Sequence, residues 1–124
     1  MAGEIGYTVS FSLLNGNLTG SVGSISVTDD QATSGWMQFQ RTVTFAAEMD
    51  VTFPDIVTNG WLVIKNLDLT NYVKWGPKSA GVMVEMGQIK TLKTAGPFFV
   101  SPGVILRMQA ATADVKCEFS FTNA

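Results

Sequence analysis

Nine residues near the start, Ile5-Gly6-Tyr7-Thr8-Val9-Ser10-Phe11-Ser12-Leu13, alternate apolar with small or polar side chains without a break. A period of two puts Ile5, Tyr7, Val9, Phe11 and Leu13 on one face of an extended chain, whereas a helix would spread them round its circumference. The pattern dictates a half-buried strand. Val115 to Phe121 repeats it, and Val22 to Thr28, Met37 to Phe45, Val82 to Lys90 and Val104 to Gln109 follow it less regularly. No segment carries an apolar stripe of helical period over three turns. The fold class expected is all-β, an antiparallel β-sandwich or a jelly-roll-like barrel.

Turn-forming clusters separate these runs: Asn15-Gly16-Asn17, Thr28-Asp29-Asp30, Thr33-Ser34-Gly35, Phe53-Pro54-Asp55, Asn59-Gly60, Gly76-Pro77, Ala95-Gly96-Pro97 and Ser101-Pro102-Gly103. Their spacing is close to the roughly 8 to 12 residues of a sandwich or barrel, which predicts about eight or nine short strands. In 124 residues these are expected to share one core, a single β-sandwich domain over 1–124. Gly76 to Gly81 reads as a loop, and Asp29 to Gly35, the most polar stretch, as a mobile one. Asn66 and Asn71 flank Leu67-Asp68-Leu69-Thr70, and their side chains suit bonding to nearby backbone, which predicts a corner between two strands.

The inventory for chemistry is thin. The chain has no histidine, which removes the commonest general base and metal ligand together with every Ser-His or Cys-His nucleophile pair. Carboxylate pairs remain, but Glu48, Asp50, Asp55, Asp68, Glu85 and Glu118 are dispersed and no pair stands out. Asp29-Asp30 lacks the spaced acids of a calcium loop and reads as a solvated turn. The single cysteine, Cys117, shares a strand face with Val115 and Phe119 and reads as a small buried apolar residue. The residues thus imply no enzyme, no cofactor and no metal.

Partners are bounded in the same way. Eight basic and ten acidic residues lie scattered, with no cluster to neutralise a row of phosphates, so nucleic acid is not an expected partner. No run approaches the roughly 20 apolar residues that span a bilayer, and MAGEIGYTVS has neither the basic start nor the apolar core of a signal peptide. The expectation is a chain made in the cytoplasm, with no membrane partner.

The hydrophobic fraction is 46% and the charged fraction 15%, where about a quarter of residues are usually charged. That surplus suggests a subunit interface, and the chain is expected to form a homo-oligomer. Trp61-Leu62-Val63-Ile64 is apolar at both parities, so both faces of its strand should be covered, the outer one by another subunit. Arg41 breaks the apolar face of Met37, Phe39, Val43 and Phe45, which suits an interface or a hydrogen bond between sheets. Trp36, Trp61, Tyr72 and Trp75 suit core or interface anchors, or else a platform for sugar rings. The interface candidates are Arg41, Trp61, Val63, Tyr72 and Trp75.

Ile64-Lys65-Asn66-Leu67-Asp68-Leu69-Thr70-Asn71-Tyr72-Val73-Lys74-Trp75-Gly76, then Val82-Met83-Val84-Glu85-Met86, then Val100-Ser101-Pro102-Gly103-Val104-Ile105-Leu106-Arg107-Met108-Gln109-Ala110, resembles a pattern in small virion proteins of tailed bacteriophages. There, a strand pair carrying "NLD-TNYV-G" precedes a strand, a glycine-containing turn, and a "PG-x-x-L-x-x-x-A" strand before the last strand. The resemblance covers roughly residues 59 to 121. It departs at Lys90-Thr91-Leu92-Lys93-Thr94-Ala95-Gly96-Pro97, where those proteins carry a Pro-Gly-Glu turn. It implies a β-sandwich structural protein of the virion, a capsid decoration or cement protein bound to the major capsid protein, or a tail or fibre module. Trimers would match local threefold positions of a shell.

Overall fold

The alternating stretches become strands. A computed structural model describes residues 3–124 and contains eleven strands and no helix among them; Met1, Ala2 and the side chain of Val22 lie outside the described residues. All pairings are antiparallel. The chain divides into two compact units, Met1–Ala32 and Thr33–Ala124.

The first unit is a hairpin of β1 (Ile5–Asn15) and β2 (Leu18–Asp29), closed by Gly16-Asn17 with Gly16 at φ 58°. Thr28-Asp29 belongs to the strand, because the register carries pairing down to Ile5 opposite Asp29. Between Val9 and Phe11 the opposing position jumps from 25 to 22, so β2 carries one extra residue there. That bulge matches a break in the sequence of β2, whose apolar residues shift parity between Ile25 and position 22. With it, one face of β1 meets one face of β2 along the whole ribbon. The half-buried strand expected at Ile5–Leu13 is nevertheless largely uncovered: Val9, Phe11 and Leu13 are 40%, 67% and 45% exposed. Two strands make a single layer, and burial needs a second.

The second unit holds the sandwich, so the expected domain over 1–124 is confined to Thr33–Ala124. One sheet has the order β3 (Trp36–Val43), β11 (Val115–Asn123), β5 (Asn59–Asn66), β9 (Thr94–Phe99). The other runs β4 (Met49–Val51), β10 (Leu106–Ala110), β6 (Val73–Ser79), with β7 (Val82–Met83) and β8 (Gly87–Ile89) both paired to the free edge of β6. From β3 to β6 and again from β9 to β11, each strand lies in the sheet opposite to its predecessor. The chain therefore crosses from one layer to the other at each of these steps.

The inner faces interlock around aromatic rings. Phe53, just after β4, meets Phe39 edge-on with centroids 4.1 Å apart and lies 5.5 Å from Phe119 and 6.2 Å from Phe121. Trp75 of β6 stacks on Phe98 of β9, 5.0 Å apart and 12° from parallel, tying the sheets together at another point. Leu62, Ile64, Val73, Ile89, Met108, Val115 and Cys117 fill the space between, each no more than 1% exposed.

Several glycine signals read as turns lie inside strands instead. Asn59-Gly60 opens β5, Gly76-Pro77 runs through β6, and Ala95-Gly96-Pro97 lies in β9. A Cβ on Gly60 would sit 2.7 Å from the Thr122 and Asn123 carbonyl oxygens, and one on Gly76 would collide with the Val84 carbonyl. Glycine at these positions admits a neighbouring backbone. Pro77 accepts from the Val84 N–H, so its missing N–H falls on the same side, beyond the end of the two-residue β7. The reversal comes later, at Ala80-Gly81 (φ 52° and 79°). The single run expected from Val82 to Lys90 is split into β7 and β8.

The Asn66–Asn71 corner forms, held as expected by the Asn66 side chain, whereas the Asn71 side chain bonds the Thr70 and Thr112 hydroxyls instead of backbone. Asn66, fully buried, accepts from the Asp68 N–H at 2.8 Å and donates to the carbonyls of Asn71 at 2.9 Å and Ile89 at 3.1 Å. The Asp68 carboxylate accepts from the N–H groups of Thr70 and Asn71. At the far end of β11, Asn123 accepts from the N–H groups of Val57 and Thr58 and donates to the Ser34 and Asp55 carbonyls. The stretch expected to be mobile is thus tied down at its second half, where Thr33 also donates to the Ala124 carbonyl. Asn66→Ala strips the bond partners from buried groups and is expected to cost about 2–4 kcal/mol, read from urea unfolding of the full chain by Trp fluorescence.

Candidate interaction surface

Strand β11 is buried at every odd position from Val115 to Asn123, so its even positions point away from the core. The register then fixes what lies beside each. Thr122 faces Trp36 on β3 and, across a bulge, adjoins Trp61 on β5, which faces Phe99 on β9. The Thr122 hydroxyl accepts from the Trp61 N–H at 3.0 Å, which holds the bulged residue. Trp61 and Phe99 meet edge-on, 5.6 Å between centroids. Trp36, Trp61 and Phe99 therefore form an aromatic row across all four strands, roughly 14 Å from end to end at the usual strand spacing.

The next rows change character. Ser120 lies between Gln38 and Val63, and Glu118 between Gln40 and Lys65, with Thr94 beyond Lys65. The Gln38 amide reaches the Glu118 carboxylate at 3.5 Å. The outer face of this sheet grades from aromatic at one end to charged at the other. Trp36 is 61% and Phe99 44% exposed, while Trp61 and Val63 are half-buried.

The five residues singled out from the sequence do not all gather there. Trp61 and Val63 do; Leu62 and Ile64, their alternates, fill the core, which accounts for the run that is apolar at both parities. Trp75 points inward to Phe98, and Tyr72, 37% exposed, precedes β6 in the other sheet. Arg41 lies on the inner face of edge strand β3 opposite Cys117, yet is exposed, because its chain reaches past the edge. Its guanidinium sits 5.5 Å from the centre of the Phe53 ring and donates to the Thr52 carbonyl at 3.4 Å, a long bond from one sheet to the chain leaving the other. Sequence reasoning missed Phe99 and the alignment of Trp36 with Trp61. Both follow from strand register, of which the local sequence carries no mark.

The outer face of the other sheet is fixed by charge. Arg107 of β10 donates to Asp50 at 2.7 Å, to Glu48 at 2.8 Å and to the Gly81 carbonyl at 2.8 Å. Lys78 adds a looser contact to Asp50 at 3.8 Å, and Glu48 also accepts from the Met83 N–H. Glu48 and Asp50 are the acids that register brings together. The Arg107 guanidinium holds the Glu48 carboxyl below the usual carboxylate range. An acid so held carries no proton to donate at neutral pH.

The described residues also form an open cleft of about 400 Å³ between residues 52–59 and 102–105, lined without any titratable side chain. Cys117 is fully buried, and burial pushes its thiol up to about 12, which leaves it inert. Comparison with family models, curated proteins and solved structures finds no match for the chain.

Two carboxylates couple this frame to pH. Glu48 is lowered chiefly by Arg107, and Asp68 by the N–H groups of Asn71 and Thr70. Carboxyls lowered on folding add stability above their ordinary values and lose it as pH falls through the folded ones. The urea midpoint is therefore expected to hold from neutral pH to about 5 and to fall below about 4.5. Asp68→Asn should start lower and show a shallower acid limb; an acid limb identical to that of the unaltered chain would contradict the assignment.

Proposed function

We propose that this chain is a non-enzymatic structural protein of a tailed-phage virion, a capsid decoration protein that binds the major capsid protein through the outer face of its four-stranded sheet. The observation that carries this reading is the graded face, with Trp36, Trp61 and Phe99 in one row and Gln40, Glu118 and Lys65 two rows away. Aromatic anchors beside a polar margin are the usual composition of protein contact surfaces. The phage-like pattern over roughly residues 59 to 121 supports the same role. So does a rigid frame whose buried polar groups are spent on corners and loop ties, as at Asn66 and Asn123.

A cement protein acts by burying area across seams, and it stabilises the shell by mass action because it binds the assembled form. As a homo-oligomer, with a trimer favoured, it would hold several seams at once at high effective concentration. The aromatic row also suits a second reading, a tail or fibre module that stacks host glycan on Trp36 and Trp61.

Shells of the cognate phage are expected to co-sediment with the purified protein and to melt at higher temperature with it. Trp61→Ala should weaken that binding by at least about tenfold, the loss of one aromatic anchor. No association with cognate shells would refute the decoration role, and a saturable change of Trp fluorescence with host glycan would favour the second reading.

A further inference from the structure

The hairpin has a composition unlike the rest of the chain. From Ile5 to Thr28 there is no charged residue, and the first Lys or Arg in the sequence is Arg41. Edge strands are normally guarded by Lys, Pro or inward charges; here neither strand of a two-stranded ribbon carries any of them until Asp29, at its base opposite Ile5. Each strand spends one edge on its partner and leaves an outer row of backbone N–H and C=O groups. One face carries Val9, Phe11, Leu13 and Ile25, each at least 40% exposed. Isolated two-stranded hairpins are marginal in water, so a ribbon of this kind calls for cover on its face and on both edges.

We propose that the cover is the same hairpin from other copies of this chain, three hairpins closing into a six-stranded intermolecular barrel with Val9, Phe11, Leu13 and Ile25 inside. The proposal rests on the oligomeric part of the reading above and names the element responsible for it. Charge and area argue for it. A partner of strong charge would find nothing to pair with along the strands, whereas identical ribbons, uncharged from Ile5 to Thr28, bring no charge together over that length. Eleven residues span roughly 37 Å, and two strands are roughly 10 Å wide, so one face projects roughly 370 Å². Two such faces pressed together give roughly 740 Å² in projection, short of the roughly 1,200–2,000 Å² that specific stable interfaces bury. A ring adds β1 of one copy to β2 of the next, uses every edge, and turns all the apolar faces inward. The bulge opposite Val9 to Phe11 serves this arrangement by keeping one face continuous along the ribbon. Glu4, Asp29 and Asp30, the acids at its base, are turned onto the hairpin's own N–H groups at Gln31, Asp30 and Gly3.

The test is sedimentation velocity of the full chain, together with hydrogen exchange of the amides from Ile5 to Thr28. A protomer of 13.3 kDa should sediment as a trimer, with the outer-edge amides of both strands protected. Phe11→Asp should raise the dissociation midpoint at least a hundredfold, with Trp emission of the second unit unchanged, since all three Trp residues lie there. Ser12→Asp, on the opposite face, should leave the trimer intact. A chain monomeric at every concentration, a trimer indifferent to Phe11→Asp, or hairpin amides protected only after shells are added would overturn the proposal. In the last case the face belongs to the capsid protein. Shell binding by a monomeric chain would refute this inference and leave the decoration role standing; a hairpin-dependent trimer that ignores shells would do the reverse.

Discussion

Strand β11 is the interaction on which the second unit depends. It bonds to β3 along one edge from Val115 to Thr122 and to β5 along the other from Cys117 to Asn123. Its odd residues, Val115, Cys117, Phe119 and Phe121, supply the centre of the core, and its last, Asn123, ties down the loops around residues 34 and 57. Its even residues set the spacing of the outer face. A slip of one residue would turn Phe119 and Phe121 to solvent and bring Glu118 and Ser120 into the core, so register is held by the cost of exchanging the two sets. The aromatic row is a by-product of that constraint. Trp36, Trp61 and Phe99 share a row because Thr122 has one permitted position.

The two units solve the burial problem in opposite ways. In the sandwich, strands alternate between layers, and rings such as Phe53 and Trp75 reach across to fill the gap. Polar groups left inside are fully bonded: among the described residues no buried side-chain nitrogen or oxygen lacks a partner. The hairpin has only one layer, no charge between Ile5 and Thr28, and its larger apolar residues on view. It has the outer features of half an interface, and in the proposed oligomer it finds the other half in its own copies.

What the sequence conveyed was local. Alternation located β1, β3, β10 and β11 within a few residues, and the Asn66–Asn71 corner could be read because an Asn side chain bonds backbone close by in the chain. The contacts that stayed hidden are distant ones. Arg107 finds Glu48 and Asp50 nearly sixty residues away, and nothing at any of the three sites marks the pairing. Gly60 and Gly76 misled for a physical reason: a missing side chain serves a tight turn and a close backbone approach equally well, and only the neighbouring strand shows which. The exposure of β1 also lies beyond a pattern of alternation, which says which face is apolar and is silent on what covers it.

The most direct test of the central claim is a density map of the cognate phage particle at a resolution that traces strands. The proposed role places this protein on the head, with the outer face bearing Trp36, Trp61 and Phe99 against the major capsid protein. Density for it on the tail or fibres, or on the head with that row turned to solvent, would contradict the claim.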